Sequence, residues 1–177
     1  NVNFISNNKQ IKDFGVNSQI SLGDLGSLFV KNKSNLIKNS VGYLTPDIEI
    51  SNNLKNTFKT KNKYICGLSW ISKNEDIGSQ KSVSLETLKP ILSLKNITFV
   101  DLQYNDTIEE RKIFLESNNI KIEKIEDIDN FNDLNGVASL IDICDFIITV
   151  SNTNAHLSGA LGKKTFLLLP KGKGRLW

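Results

Sequence analysis

The 177-residue chain contains no methionine, a single histidine, two cysteines and three prolines. Methionine is missing even at position 1, so the stretch reads as processed, trimmed or a piece of a longer reading frame, and a piece is the expectation. One histidine and dispersed carboxylates are too few ligands for a metal cofactor, and none is expected. Cys66 and Cys144 each sit inside or beside an apolar run and lie far apart. That spacing excludes a metal knuckle or a redox pair, and it predicts buried free thiols in a reducing cytoplasm. No apolar run approaches the ~18 residues that would suggest a membrane-spanning helix. The first residues are polar and Asn-rich, unlike a secretory signal. Arginine occurs only at positions 111 and 175, and no basic stripe interleaves with aromatics, which argues against nucleic acid as a partner.

What is present is an ordinary globular composition, 39% hydrophobic and 23% charged. The net charge of +3 is unevenly spread. Between Tyr104 and Asn135 stand nine acidic and four basic residues, whereas Lys163 to Arg175 carries five basic and none acidic. The first stretch is most simply a solvated acidic loop with its flanking helices. The second is either a flexible basic tail or a segment that closes over phosphates.

From Tyr64 onward the pattern alternates regularly. YICGLSW reads as a strand, SLETLKPILSL as a helix with Ser84 as its N-cap, and ITFVDLQ as a strand. TIEERKIFLESN is a helix, IKIEKI a more polar strand, and NDLNGVASLIDIC a third helix. DFIITV, a small-residue helix holding His156, and TFLLL complete the series. Strand–helix alternation with short links predicts an α/β fold, a Rossmann-like parallel sheet with helices on both faces. FIITV and TFLLL are apolar throughout, as central parallel strands should be, and IKIEKI alternates like a strand nearer an edge. Residues 1–45 read as a remnant of a first domain. Residues 46–63 read as an interdomain link, extended through VGYLTPDIEI and then helical over Asn52 to Lys63. Residues 64–177 read as the second, Rossmann-like domain, cut short at its C-terminal end.

In such a sheet the residues just after each strand converge on one rim. These are Ser69 and Trp70, Gln103 and Tyr104, the acidic loop Glu126 to Asp133, Ser151 to Thr153, and Pro170 to Lys173. The sharpest stretch is DFIITVSNTNAHLSGALGKK, 145–164. There a buried strand feeds a helix through short polar residues, and free N–H groups at the helix start make a ready anion site. Bland alternatives stand beside each reading. Ser151 and Asn152 serve equally as N-cap residues, Lys81 as a solvated lysine, Trp70 as packing, and His156 as a structural helix residue. No Ser-His-Asp order or P-loop pattern emerges.

Several segments together resemble a known family. They are GLSW after the first strand, Gly78, Lys81 and Ser82 before a Leu-rich helix, FVDLQY, DICDFIITVSNTNAHLSGALGKK and LLLP. They look like the C-terminal half of glycosyltransferases with two Rossmann-like domains (the GT-B fold). The chain is similar to family 9 heptosyltransferase-like proteins, and closer to bacterial tetratricopeptide-associated transferases related to O-linked N-acetylglucosamine transferase. The resemblance spans about Ile20 to Trp177. It implies a donor-binding half that holds a nucleoside-diphosphate sugar without a metal, for transfer to an unknown acceptor hydroxyl. It implies that Lys81 reaches the donor phosphates with Ser69 beside it, and that Ser151, Asn152 and Thr153 cradle the diphosphate. Gln103 would approach the nucleoside, the segment from Asp133 would line base or ribose, and His156 would orient the donor, with Trp70 beside the base. Heptosyltransferase-like members carry aspartate and threonine where Ser151 and Asn152 stand, so this turn is neutral and repels a diphosphate less. A non-catalytic module derived from a transferase is the alternative. An epimerase would need cleft carboxylates that the sequence does not offer. A generic flavodoxin-like domain would not explain the link.

Overall fold

The structure, a computed structural model, describes residues 42–58, 60 and 62–171. All of them belong to one compact unit spanning 40–177. The apolar prelude between Val2 and Phe29, and the basic residues Lys173 and Arg175, lie outside the described residues.

The first described helix, α1 (Ile48–Thr57), starts earlier than its composition suggests. Asp47, just after Pro46, is its N-cap, and one carboxylate oxygen accepts from the Glu49 and Ile50 N–H groups at 2.9 and 3.1 Å. The expected helix over Asn52 to Lys63 is thus shifted, because capping outweighs the weak helix propensity of Ile48 and Ile50.

Five strands follow: β1 (Tyr64–Ser69), β2 (Ile97–Asp101), β3 (Ile122–Glu123), β4 (Phe146–Val150) and β5 (Thr165–Leu168). They alternate with α2 (Gly78–Lys81), α3 (Leu85–Leu92), α4 (Ile108–Asn118), α5 (Leu134–Ile143) and α6 (Thr153–Ala160). Ser84 caps α3 as expected, its hydroxyl accepting from the Thr87 N–H. The short α2 is an addition that the sequence pattern did not suggest.

All strand pairs are parallel, in the order β3-β2-β1-β4-β5. This is the α/β, Rossmann-like sheet expected. Its helices lie on both faces. Leu85, Leu88 and Leu92 of α3 and Phe114 of α4 pack against Cys66, Leu68, Phe99 and Ile148 on one face. Leu54 of α1 and Val137, Leu140 and Ile141 of α5 pack against Val100 and Ile147 on the other, with Leu157 of α6 and Leu161 just after it at the margin. Gly67 of β1 permits this second layer, since a Cβ there would lie 2.5 Å from Leu102 Cδ1 and 2.6 Å from Ile147 Cδ1. The polar strand IKIEKI is at an edge, and it pairs over two residues only. TFLLL is at the other edge among the described residues, not central, and Phe166 there is half exposed. No residue of β5 is fully buried, so an apolar run by itself fixes neither burial on two faces nor the number of neighbours a strand has.

β1 pairs with β2 on one side and β4 on the other, so the chain's strand order reverses between β1 and β4. A crevice at such a reversal, beyond the carboxyl ends of the strands, is where open α/β sheets bind ligands.

Candidate functional site at the β1–β4 switch point

The start of α6 is set by Asn152. Its backbone is extended, and its side-chain oxygen accepts from the Asn154 N–H at 3.0 Å and from the Thr149 hydroxyl at 3.1 Å. The Asn152 carbonyl takes the Ala155 N–H. Of the first-turn donors, the N–H of Thr153 stands outside this cap. Thr153 and His156 are both exposed and, three residues apart, share one face of α6. The other end of α6 is closed by Gly162 at φ 72°, with Gly162 N–H donating to Gly159 O and Lys163 N–H to Ser158 O. Such a paired closure requires the left-handed backbone that glycine adopts without cost.

Asn152 also reaches across to the loop after β1. Its Nδ2 donates to Ser69 Oγ at 2.8 Å and to the Ile71 carbonyl at 3.1 Å. From the opposite side Gln103 grips the same loop. Its side-chain oxygen accepts the Ser69 hydroxyl, the Trp70 N–H and the Ile71 N–H at 2.9, 2.9 and 3.0 Å. Its Nε2 donates to the Ile71 carbonyl at 3.0 Å and to Asn105 Oδ1 at 2.7 Å.

Lys81 arrives through this loop. The Ser72 N–H donates to Ser82 Oγ at 3.0 Å, and the Val83 N–H to the Trp70 carbonyl at 2.9 Å. Gly78 lies so close that a Cβ on it would be 2.3 Å from the Ser72 carbonyl. The short α2 therefore rests directly on the β1 loop, with half-buried Lys81 in its last turn. The loop thus joins Lys81 and the α6 turn to one support.

Most of the other sequence-derived candidates are buried. Ser69, Trp70 and Gln103 are 1%, 0% and 0% exposed. The Trp70 ring lies in the core, and its Nε1–H donates to the Glu110 carboxylate at 3.0 and 3.1 Å. Every polar atom of the Gln103 side chain is already engaged by the protein. Ser151 is 5% exposed. Asp133, half-buried, is the N-cap of α5, accepting from the Gly136 N–H at 2.8 Å. Of the remaining candidates, Thr153 and His156 are exposed, and Lys81 and Asn152 are half-buried.

A second feature of the rim was not apparent from spacing. Asp101 ends β2 with no exposure, and its carboxylate accepts from the Gln103 N–H and the Thr107 hydroxyl and lies 3.2 Å from Arg111 Nε. Burial pushes its carboxyl above the usual range, against the Thr107 hydrogen bond and the charges of Lys124 and Arg111. Burial likewise lowers the Lys124 ammonium, against the attraction of Asp101. Arg111, Lys124, Glu126, Asn130 and Phe131 line a cavity of about 280 Å³ at the carboxyl ends of β2 and β3. The acidic loop is thus one wall of a cavity, not simply a solvated segment. The signal available in the sequence was an aspartate inside an otherwise apolar strand, FVDLQ. Asn154 was also missed, although it is 5% exposed and its Nδ2 donates to the Leu102 carbonyl at 2.7 Å. Among the described residues no group of three or more His, Cys, Asp or Glu stands ready for a metal ion, and no helix is long and apolar enough to cross a membrane.

These features define a doubly wound α/β domain with a polar switch point. No family model matches the chain. It is 38% identical over 80 residues to Protein FlbA of Caulobacter vibrioides, a stretch covering 45% of this chain and 13% of that protein. It is similar in fold to E. coli heptosyltransferase WaaC with ADP, at 19% identity and a TM-score of 0.47 over 70% of this chain and 37% of that one. The same enzyme with ADP-2-deoxy-2-fluoro heptose gives 18% identity and a TM-score of 0.45, over 73% and 41%. The chain therefore spans less than half the length of each of these relatives.

Proposed function

We propose that this domain binds a nucleoside-diphosphate sugar at the β1–β4 switch point, and that it is the donor half of a metal-independent glycosyltransferase. The observation that carries this reading is the support shared by Lys81 and the start of α6, both resting on the loop 69–72. A lysine and a helix N-terminus held by one loop suit a diphosphate. Transfer of a sugar to an acceptor hydroxyl builds negative charge on the departing diphosphate. Lys81 and the Thr153 N–H would stabilise that charge without a metal, as fixed donors do in an oxyanion hole. His156, on the exposed face of the same helix, would orient the donor. The acceptor and any general base would come from a separate domain, so this chain binds donor and does not turn it over alone. The buried free thiols of Cys66 and Cys144 fit the reducing cytoplasm in which we expect it to work.

Isothermal titration with UDP, ADP and GDP tests the binding. Heat from at least one is expected, and silence from all three with folded protein would overturn the reading. Turnover by the chain alone would overturn the division of labour.

One observation favours a second reading, a non-catalytic module. The turn 151–153 holds no carboxylate, and Asn152 spends its amide on the protein itself. In that case Lys81→Ala leaves nucleotide affinity unchanged, whereas the donor-site reading predicts a loss of roughly tenfold, as for a hydrogen bond to a charged group.

A further inference from the structure

We infer that Gln103 and Asn152 are positioning residues, two buried carboxamides that set the distance between Lys81 and the α6 turn as a single unit. This rests on the nucleotide reading of the switch point. The loop 69–71 is pinned from both sides at the same atoms. Ser69 Oγ donates to Gln103 and accepts from Asn152. The Ile71 carbonyl accepts from both side-chain amides. Neither amide can shift without moving a partner of the other.

The circuit continues in both directions. The Gln103 backbone is held by the buried Asp101 carboxylate, and Asn130 Nδ2 donates to the Asp101 and Gln103 carbonyls at 3.0 Å each. On the α6 side, Asn154 returns to the Leu102 carbonyl, one residue before Gln103. Beyond Ile71 the loop passes to Ser72, which is bonded to Ser82, the neighbour of Lys81. A displacement of the Asn152 turn is therefore transmitted to the lysine through four consecutive residues of loop. Gln103 is fully buried and Ser69 nearly so, which leaves them an indirect role only. The three side chains that meet at the loop, Gln103, Ser69 and Asn152, are neutral, so they hold this geometry beside an incoming diphosphate without adding a like charge.

Asn152→Asp tests the idea. Aspartate retains the N-cap oxygen for Asn154 but presents an acceptor to the Ile71 carbonyl, which parts the turn from the loop. The measurement is a double-mutant cycle on nucleoside-diphosphate affinity, using whichever of UDP, ADP and GDP binds tightest to the native chain. Lys81→Ala is expected to weaken binding about tenfold in the native chain and about threefold or less in the Asn152→Asp chain, since the lysine is no longer held to the turn. A role confined to stability would leave the lysine's contribution the same in both backgrounds, and equal tenfold losses would overturn the inference. Should Asn152→Asp fail to fold, Ser69→Ala removes the shared hydroxyl more gently and is read in the same way. A native chain that binds none of the three nucleotides would overturn the nucleotide reading and this inference with it. Binding with independent losses would overturn this inference alone.

Discussion

The rim between β1 and β4 and the rim between β2 and β3 lie at the same ends of one sheet, yet they solve the burial of polar groups differently. At β1–β4 the groups are carboxamides and hydroxyls that close on one another, and no titratable side chain takes part in the Gln103–Ser69–Asn152 joints. At β2–β3 a buried carboxylate is answered by Arg111 and, at longer range, Lys124, and a cavity remains beside them. Neutral groups can be packed tightly because each loses little when it exchanges water for a partner. A buried charge loses several kcal/mol of hydration, and only a well-placed counter-charge with further hydrogen bonds offsets it. The lesson is that the closed, neutral rim is suited to holding geometry, while the charged one is held together only as long as both partners are present.

The comparison predicts unequal sensitivity. Asp101→Ala, which leaves Arg111 poorly compensated and releases the Gln103 and Thr107 donors, should cost about 3–5 kcal/mol by urea unfolding. A cost below ~1 kcal/mol would mean that the charged rim is not structural. Asn152→Ala should cost less, about 1–3 kcal/mol, because it strands neutral groups only. Equal costs would erase the distinction between the two rims.

Titration sharpens it further, and the signs are opposite at two carboxylates. Burial raises the folded pKa of Asp101. The folded chain therefore keeps a proton that the unfolded chain releases, and this group's contribution to stability falls as pH rises from the ordinary carboxylate value through the raised one. Asp101→Asn should remove that decline. At Asp142 burial also opposes ionisation, but Lys55 at 2.9 Å and Lys163 at 3.5 Å outweigh it and hold the carboxyl below its usual range. Its contribution is present above the ordinary carboxylate value and is lost as pH falls through the lowered one. Lys55 is half exposed, so Lys55→Ala should cost only about 0.5 kcal/mol at neutral pH and nothing in acid. A loss persisting in acid would assign the effect to packing of α1 on α5 instead of the ion pair.

The links into the domain follow the same logic of satisfied backbone. The Ala160 carbonyl at the end of α6 accepts the N–H groups of both Tyr43 and Leu44 at 2.8 and 2.9 Å. A Cβ on Gly42 would fall 2.3 Å from the Leu161 carbonyl carbon. The segment before α1 thus closes the His156 helix at the end opposite to Asn152.

The sequence by itself determined what depends on near neighbours. Alternating apolar runs set the order of strands and helices, Ser84 and Asn152 mark helix starts, and Gly162 marks the end of α6. Each of these is a contact within a few residues, so the pattern carries it. The long polar character of IKIEKI likewise announced an edge. Only the tertiary structure decided which strands are neighbours, that TFLLL lies at the opposite edge among the described residues, and that Ser69, Trp70 and Gln103 are buried instead of facing the crevice. Those outcomes depend on partners distant in the chain, such as Gln103 with Trp70, 33 residues apart, and Asn152 with Ser69, 83 apart. A glutamine or an asparagine after a strand has the same donors and acceptors whether it meets a ligand or another loop. Which of the two it meets is set by the packing of the sheet.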